Sequence, residues 1–413
     1  MKALKLILAI VVTFLLATSV NGLAQTFHSG GPGNCSGCHS MHSPMSTAHL
    51  LVASDASSTC LACHERTGDT GPNSYHVSTV DANLTVGTAP LQRGPAGDFA
   101  WLKKNYAFTS QGVATIEDGS IHGHSIIAAD NNYTTVDPVH PQSPGGSFLS
   151  SNLGCDSCHD PHGRGRRLSD GSYASTGAPI VASGSTGIVP AVGQAVGLYR
   201  ILAGPGYAGA PGATYTTWPI AVSPSTYNQT EAANMVRIAY GGGSSANGWG
   251  KWCGTCHAAI ANMTGLRGHP SHVVDTALNS TIATNYNNYV KTGDMSGIFG
   301  GPTPGPYTSL VPYQEATSVI TTLASHARND NSVLGGPSSS DEVTCHSCHR
   351  AHASGWTHAL RWNNDTTFIV NNGTYPAEMG RTAIETQGAY YDRPATVFAT
   401  FQRSLCNKCH AMD

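Results

Sequence analysis

A mostly irregular, coil-rich chain with a few short α-helices and little or no β-sheet is the fold class that this 413-residue sequence predicts, on three observations. Glycine (47) and proline (23) together make about a sixth of the chain, near the level at which regular structure becomes sparse. Apolar periodicity of helix or strand type is confined to short stretches. Yet 40% of the residues are hydrophobic, so plain disorder is excluded and something other than long elements must fill the core. The third observation says what. All twelve cysteines fall into six copies of Cys-x-x-Cys-His: Cys35, Cys38 and His39; Cys60, Cys63 and His64; Cys155, Cys158 and His159; Cys253, Cys256 and His257; Cys345, Cys348 and His349; Cys406, Cys409 and His410.

That spacing suits haem c. Two thiols add across the porphyrin vinyl groups, and the adjacent imidazole reaches the iron from one face. Three other readings explain less. Disulfides do not require a histidine after every second cysteine. Structural zinc would join two Cys pairs and leave the histidine idle. A thioredoxin-like redox pair is single and sits beside a strand–helix unit. Six covalently bound haems, each a flat apolar body, then form most of the core, and the chain wraps around them.

In chain order, a basic start, an apolar run from Leu6 to Ala17 and the small residues before Ala24 read as a signal peptide over residues 1–24. The run is too short for a comfortable membrane span, and no later segment offers eighteen apolar residues. An exported protein with no membrane span is expected. Charged residues are 11% and the net charge is −3, so no basic face for nucleic acid is expected. Residues 25–413 read as a single hexahaem domain, since the spacing of motifs leaves no room for another. Helices are expected at Thr230–Tyr240, which has a Thr start and a glycine stop, at Ala316–Arg328, and at Pro394–His410 around the sixth motif.

Twenty histidines are present; six are proximal ligands and fourteen remain for six distal positions. Three motifs carry a second histidine three residues on: His42, His162 and His352. Extended and plain motifs alternate, which describes three two-haem repeats. Each extended motif also has a histidine upstream in a short polar setting: His28, His124 and His326. These six close the count, with His76, His122 and His269 as reserves and His49, His140, His272, His346 and His358 assigned to ordinary structural roles. Residues three apart on a helical turn point the same way, so His42 cannot pass round the ring that His39 already ligates. Each second histidine must therefore serve a different haem. If each serves the preceding odd-numbered one, His352 belongs to haem three and His162 to haem one. His42 has no earlier motif to serve, so its acceptor is haem five of a neighbouring chain.

Between the motifs, "FHSGG" (27–31), "GDTGPNSYHVST" (68–79), "GTAPLQ" (87–92), "WLKK" (101–104), "HGHSI" (122–126), "CDSCHDPHG" (155–163), "PSTYNQTEA" (224–232), "CHRAHASG" (348–355) and "QRSLCNKCHAMD" (402–413) are specific. In these stretches the chain resembles the OmcS-type outer-surface hexahaem cytochromes of metal-reducing bacteria, which polymerise into conductive filaments. The resemblance implies bis-histidine irons, alternating parallel and T-shaped haem contacts, a mostly coil fold and an inter-subunit ligand at His42. Departures lie mainly in 130–150 and 178–220, expected to be surface loops. The expected function is extracellular electron transport as a head-to-tail homopolymer, not an enzyme. Expected partners are other multihaem cytochromes and acceptors such as metal oxides or partner cells. A multihaem reductase with an open iron and a soluble periplasmic shuttle are the alternatives.

Overall fold

The computed structural model describes residues 28, 33–65, 75–226, 228–243, 247–261, 274–298 and 305–410. The expected signal peptide, His269 and His272 lie outside them. The chain is mostly irregular, as its composition requires. Among the described residues the α-helices are α1 (Ala56–His64), α2 (Cys155–Cys158), α3 (Trp249–Cys253), α4 (Ala258–Ala261), α5 (Asn279–Asn288), α6 (Ile320–His326), α7 (Ala383–Ala389) and α8 (Asn407–His410). The longest, α5, has ten residues. α1 starts where the Asp55 carboxylate accepts from the Ser58 N–H at 2.7 Å, a side-chain cap on a free helix-end donor. It carries the whole second Cys-x-x-Cys-His motif and buries Leu61 completely.

The β-structure consists of ladders of two to five residues. β1 (Tyr106–Ser110) and β2 (Val113–Glu117) form an antiparallel hairpin. Its two connecting residues, Gln111 (φ 49°) and Gly112 (φ 81°), are both left-handed, the turn that matches strand twist. β3 (Arg166–Leu168), β4 (Tyr173–Ala174), β5 (Ile180–Ala182) and β6 (Ala195–Gly197) make a four-stranded sheet in the order β4-β3-β6-β5. β7 (Ala221–Val222), β8 (Ala239–Gly241), β9 (Thr276–Ala277), β10 (Gln314–Glu315) and β11 (Glu342–Val343) make a second, in the order β7-β8-β10-β11-β9. β12 (Phe368–Val370) and β13 (Gln402–Arg403) pair alone. Strands this short show no legible alternation, which is why the sequence does not announce them.

The apolar interior is divided. Among the described residues a large aromatic cluster gathers Tyr286, Tyr313, Trp356, Trp362 and Tyr390, and four smaller clusters stand apart from it. A domain of this size usually has one contiguous core.

Four local expectations fail or shrink in the structure. Thr230–Tyr240 is not a helix: Arg237 pairs through its backbone with Arg328, and its guanidinium reaches Gly335 O, Tyr313 Oη and Glu315. Long-range bonding there overrides local propensity. Within Ala316–Arg328 only α6 is helical, and Pro394–His410 breaks into a turn at Ala395–Val397, strand β13 and α8. Residues 178–220 are not merely surface loops either. Ala195 and Val196 are fully buried in β6, and Tyr199 packs with Trp249 and Tyr240.

One charged knot ties the β1–β2 hairpin to the rest. The buried Glu117 carboxylate accepts from His122 Nε2 at 2.6 Å and from Arg381 Nη2. Arg381 covers the Tyr106 ring at 4.1 Å and lies 5.0 Å from that of Trp356. Burial works to raise the Glu117 pKa, but the His122 hydrogen bond and the Arg381 charge outweigh it, so the net shift is downward. A depressed carboxylate adds stability that is present above its unfolded pKa and is lost as pH falls through its folded one. Glu117→Gln should therefore cost about 3 kcal/mol near neutral pH, because Arg381 stays buried without its anion. Denaturant unfolding should show the loss, and the difference from the parent should shrink below about pH 4.

Candidate haem-binding site

Each Cys-x-x-Cys-His motif closes one helical turn. The histidine N–H reaches the carbonyl of the first cysteine at 2.8 Å (His39), 3.0 Å (His159, His257 and His410) and 2.9 Å (His349); His64 ends α1 in the same way. In the third and fifth motifs the serine before the second cysteine stiffens the turn. Ser157 Oγ accepts from Gly154 N at 3.0 Å and Ser347 Oγ from Thr344 N at 3.1 Å.

The imidazoles are turned by backbone carbonyls. Nδ1 of His39 donates to His49 O (2.9 Å), His64 to Tyr75 O (3.1 Å), His159 to Arg200 O (2.9 Å), His257 to Pro144 O (2.9 Å) and His349 to His358 O (2.7 Å). A carbonyl only accepts, so Nδ1 carries the proton and Nε2 keeps its lone pair for a metal. Burial pushes His159 down to about 4 and His352 to about 3, and it lowers His64 and His124 as well. The neutral imidazole that results is the form that ligates.

The odd-numbered motifs share one further device that the sequence does not show. A return segment bridges each motif histidine: His39 to Leu51, His159 to Leu202 and His349 to Leu360. The next residue donates to the second cysteine's carbonyl in all three: Val52 to Cys38, Ala203 to Cys158 and Arg361 to Cys348, at 3.0, 2.8 and 2.8 Å. Each return passes through left-handed non-glycine backbone, at Leu50, at Arg200 and Ile201, and at His358 and Ala359. Such backbone costs of order 1–3 kcal/mol per residue and persists only where its surroundings over-determine it. His49 and His358 thus act through their main-chain oxygens.

The rings face one another in pairs. Two imidazoles that bind one iron from opposite sides hold their centroids roughly 6 Å apart, given a metal–nitrogen bond of about 2 Å. His39 and His162 lie 6.3 Å apart with planes 3° from parallel, His159 and His352 lie 6.5 Å apart at 54°, and His124 and His257 lie 6.0 Å apart at 53°. Each couple joins a motif histidine to one singled out in the sequence, and each separation fits an iron between the rings. Asp160 folds the turn that aims His162, accepting from the N–H groups of His162 (3.0 Å) and Arg164 (2.8 Å).

The His124 and His352 segments also lock together. His124 N donates to His352 O at 2.9 Å, His352 N to Ala96 O at 2.8 Å, and His124 Nδ1 to Ala351 O at 2.7 Å. A Cβ on Gly123 would fall 2.2 Å from His352 O, so only glycine permits the crossing.

The remaining histidines sort by their contacts. His122 has both ring nitrogens engaged, by Trp101 O and Glu117, which leaves none for a metal. His28 and His76 both lie within electrostatic reach of His64. His326 Nδ1 meets Glu315 Oε2 at 2.7 Å, a carboxylate–imidazole contact of the kind that orients ligands. His140 binds Asp137 at 2.8 Å and lies edge-on to His358. His346 stacks on Tyr240, with ring centroids 4.8 Å apart. His42 stands exposed on a bend, beside Met41 and Met45, whose side chains are 75% and 66% exposed.

The motifs follow one another in space as in sequence. Cys38 is within electrostatic reach of Cys60 and Cys63, Cys60 of Cys155, and Cys158 of Cys256. Cys253 is within electrostatic reach of Cys345, and Cys348 of Cys406 and Cys409.

Covalent-attachment turns in series, with carbonyl-oriented imidazoles facing across an iron's width, define a multihaem c-type cytochrome. The comparisons name its relatives. The curated C-type cytochrome OmcS of Geobacter sulfurreducens (strain ATCC 51573 / DSM 12127 / PCA) is 42% identical over 445 aligned positions, covering 100% of both chains. Two solved structures match at 42% identity, each over 94% of this chain and 100% of theirs. One is a cryo-EM structure of OmcS nanowires from Geobacter sulfurreducens (TM-score 0.84), the other an Outer Membrane Cytochrome S filament from that organism (TM-score 0.83). No protein-family model matches. This chain belongs to the OmcS family of c-type cytochromes. Among the described residues no helix is long and apolar enough to cross a membrane.

The two histidines of "HGH" should separate by spectroscopy. His122→Ala should cost about 3 kcal/mol, as it breaks the buried Glu117 knot, yet leave every iron low-spin. His124→Ala should leave one iron high-spin in absorption and paramagnetic resonance spectra. The reverse pattern would exchange their roles.

Proposed function

We propose that this chain is an exported electron carrier with six haem c groups that polymerises head to tail and delivers electrons to acceptors outside the cell. The observation that carries the reading is the unbroken succession of motifs, each with a cysteine within electrostatic reach of the next. Haem, when bound, would supply one-electron chemistry that needs no substrate at the iron where two histidines hold it. The chain's part is to hold those positions, exclude water and keep neighbouring groups close. His39 with His162, His159 with His352 and His257 with His124 would be the axial pairs of haems one, three and four. His28 would complete haem two, with His76 in reserve, and His326 would complete haem six with His410.

The pairing rule then extends to His42. His162 faces the first motif's histidine and His352 the third's, each one repeat back. By that rule His42 serves a fifth haem, and no motif precedes it in its own chain. Its exposed imidazole amid exposed methionines suits an interface, since contiguous exposed apolar surface marks one. The domain over residues 25–413 is accordingly three two-haem units, and the return segments at Leu51, Leu202 and Leu360 are its repeated structural mark. A metal–ligand bond at every junction would make the polymer continuous with the wire inside it. Other multihaem cytochromes, metal oxides and partner cells are the partners such a wire would meet.

His42→Ala should mature with six haems, because Cys35, Cys38 and His39 are untouched, but leave one iron in six high-spin and form no filaments. His162→Ala should disturb an iron within the chain and harm folding before assembly. Intact mass, spin-state spectroscopy and electron microscopy read all three properties. Normal filaments with fully low-spin iron in His42→Ala would refute the junction.

An all-histidine ligand set should also titrate at low potential, since methionine raises it, and over a broad range, since neighbouring haems interact. Strong carbon monoxide binding by the reduced protein would reveal an open iron and favour a reductase.

A further inference from the structure

Two histidine rings that the haem pairs leave aside face each other at the surface. His140 has a side chain 30% exposed and His358 is exposed; their ring centroids lie 6.0 Å apart with planes at 74°. A turn built on Asp137 aims the first of them. Asp137 Oδ1 accepts from Val139 N at 2.8 Å and from His140 N at 3.1 Å, and Oδ2 accepts from His140 Nδ1 at 2.8 Å. A carboxylate only accepts, so Nδ1 carries the proton and, in the neutral ring, Nε2 keeps its lone pair. Among the described residues no hydrogen bond engages His140 Nε2.

The haem turns do not account for these rings. His358 serves its motif through the main-chain oxygen, a task that His49 and Arg200 perform in the other two returns, so it demands no imidazole. A carboxylate on the far nitrogen of a histidine, by contrast, orients a metal ligand and raises its basicity. Bonds of about 2 Å from one ion to two imidazole nitrogens put the ring centroids roughly 5–6.5 Å apart, according to the angle between the bonds. The observed 6.0 Å falls within that range. Imidazole suits divalent transition ions of borderline softness, whereas Mg²⁺ and Ca²⁺ prefer oxygen.

From this pair we infer that His140 and His358 form a surface site for a divalent transition ion such as Zn²⁺, Cu²⁺ or Ni²⁺, with Asp137 as its positioning residue and water in the remaining positions. The ion would join two segments that each have a further task. In the His140 segment, Pro144 O orients His257 of the fourth motif at 2.9 Å. Ser143 Oγ fastens that segment to Cys256 O at 2.6 Å, and Ala259 N donates to Gly145 O at 2.7 Å. His358 O orients His349 of the fifth motif at 2.7 Å. An ion held by both rings therefore braces the motif histidines of haems four and five against each other. That consequence rests on the haem reading above; the site itself does not.

The test uses the full haem-loaded chain and Zn²⁺ as the probe. Intact mass and haem stain first establish six haems, so that failure of the haem reading is told apart from failure of this one. Equilibrium dialysis near neutral pH, with excess Mg²⁺ to fill oxygen sites, then counts bound zinc. His140→Ala and His358→Asn should each bind one Zn²⁺ fewer per chain than the parent, and the double variant no fewer than either alone. Other histidines contribute equally to every variant and cancel. Asparagine tolerates the left-handed backbone at 358, and His140→Ala, at a partly exposed position, serves if that variant does not fold. Asp137→Asn should weaken the site about 10–100-fold without removing it. Cu²⁺ should bind more tightly than Ni²⁺ and show two nitrogen ligands in its paramagnetic resonance spectrum. Zinc uptake equal to the parent's in both single variants would overturn the site, and a loss in only one of them would overturn the pair.

Discussion

A hydrogen bond from an imidazole Nδ1 to a backbone carbonyl recurs at five of the six motif histidines and at His124, and the rest of the structure is arranged to make it possible. It decides which nitrogen carries the proton, and therefore which keeps its lone pair for a metal. The acceptors must be main-chain oxygens at fixed heights above the motif turn. The chain supplies them by returning to each odd motif through left-handed backbone, a local cost repeated three times. Coil is therefore what the site requires, because a regular helix or strand would have its carbonyls already engaged.

Packing follows from the same constraint. Among the described residues the apolar side chains form five clusters where a domain of this length normally has one, and the paired imidazoles are contributed by distant segments. Small sheets and single bridges then fix the register between segments, as at the crossing of Gly123 with His352. Buried ion pairs such as Glu117–Arg381 and Glu231–Arg393 tie segments that are far apart in the sequence. Such pairs add little net stability against an apolar alternative, but they specify one arrangement among many.

What was legible in the sequence is what covalent chemistry spaces rigidly. The six motifs, and the alternation marked by His42, His162 and His352, could be read directly, and the geometric rule that a second histidine serves another haem led to His162 facing His39. The choice of His124 over His122 rested on a count; in the structure Trp101 O and Glu117 engage His122, and the His124 ring lies 6.0 Å from that of His257. The return segments were invisible, because a backbone carbonyl has no residue signature and its distance from the motif is 10, 41 or 9 residues. The helix expected at Thr230–Tyr240 failed because Arg237 is committed to long-range partners, which no local pattern records.

The central claim is that facing imidazole pairs, in chain order, are what the polypeptide is built to hold. A cryo-EM map of the purified protein at side-chain resolution tests it most directly. The account predicts six planar densities joined to the cysteines in the order of the sequence, with planes between His39 and His162, between His159 and His352, and between His257 and His124. A pair with no plane between its rings, or a plane whose neighbour in space is not its neighbour in sequence, would contradict it.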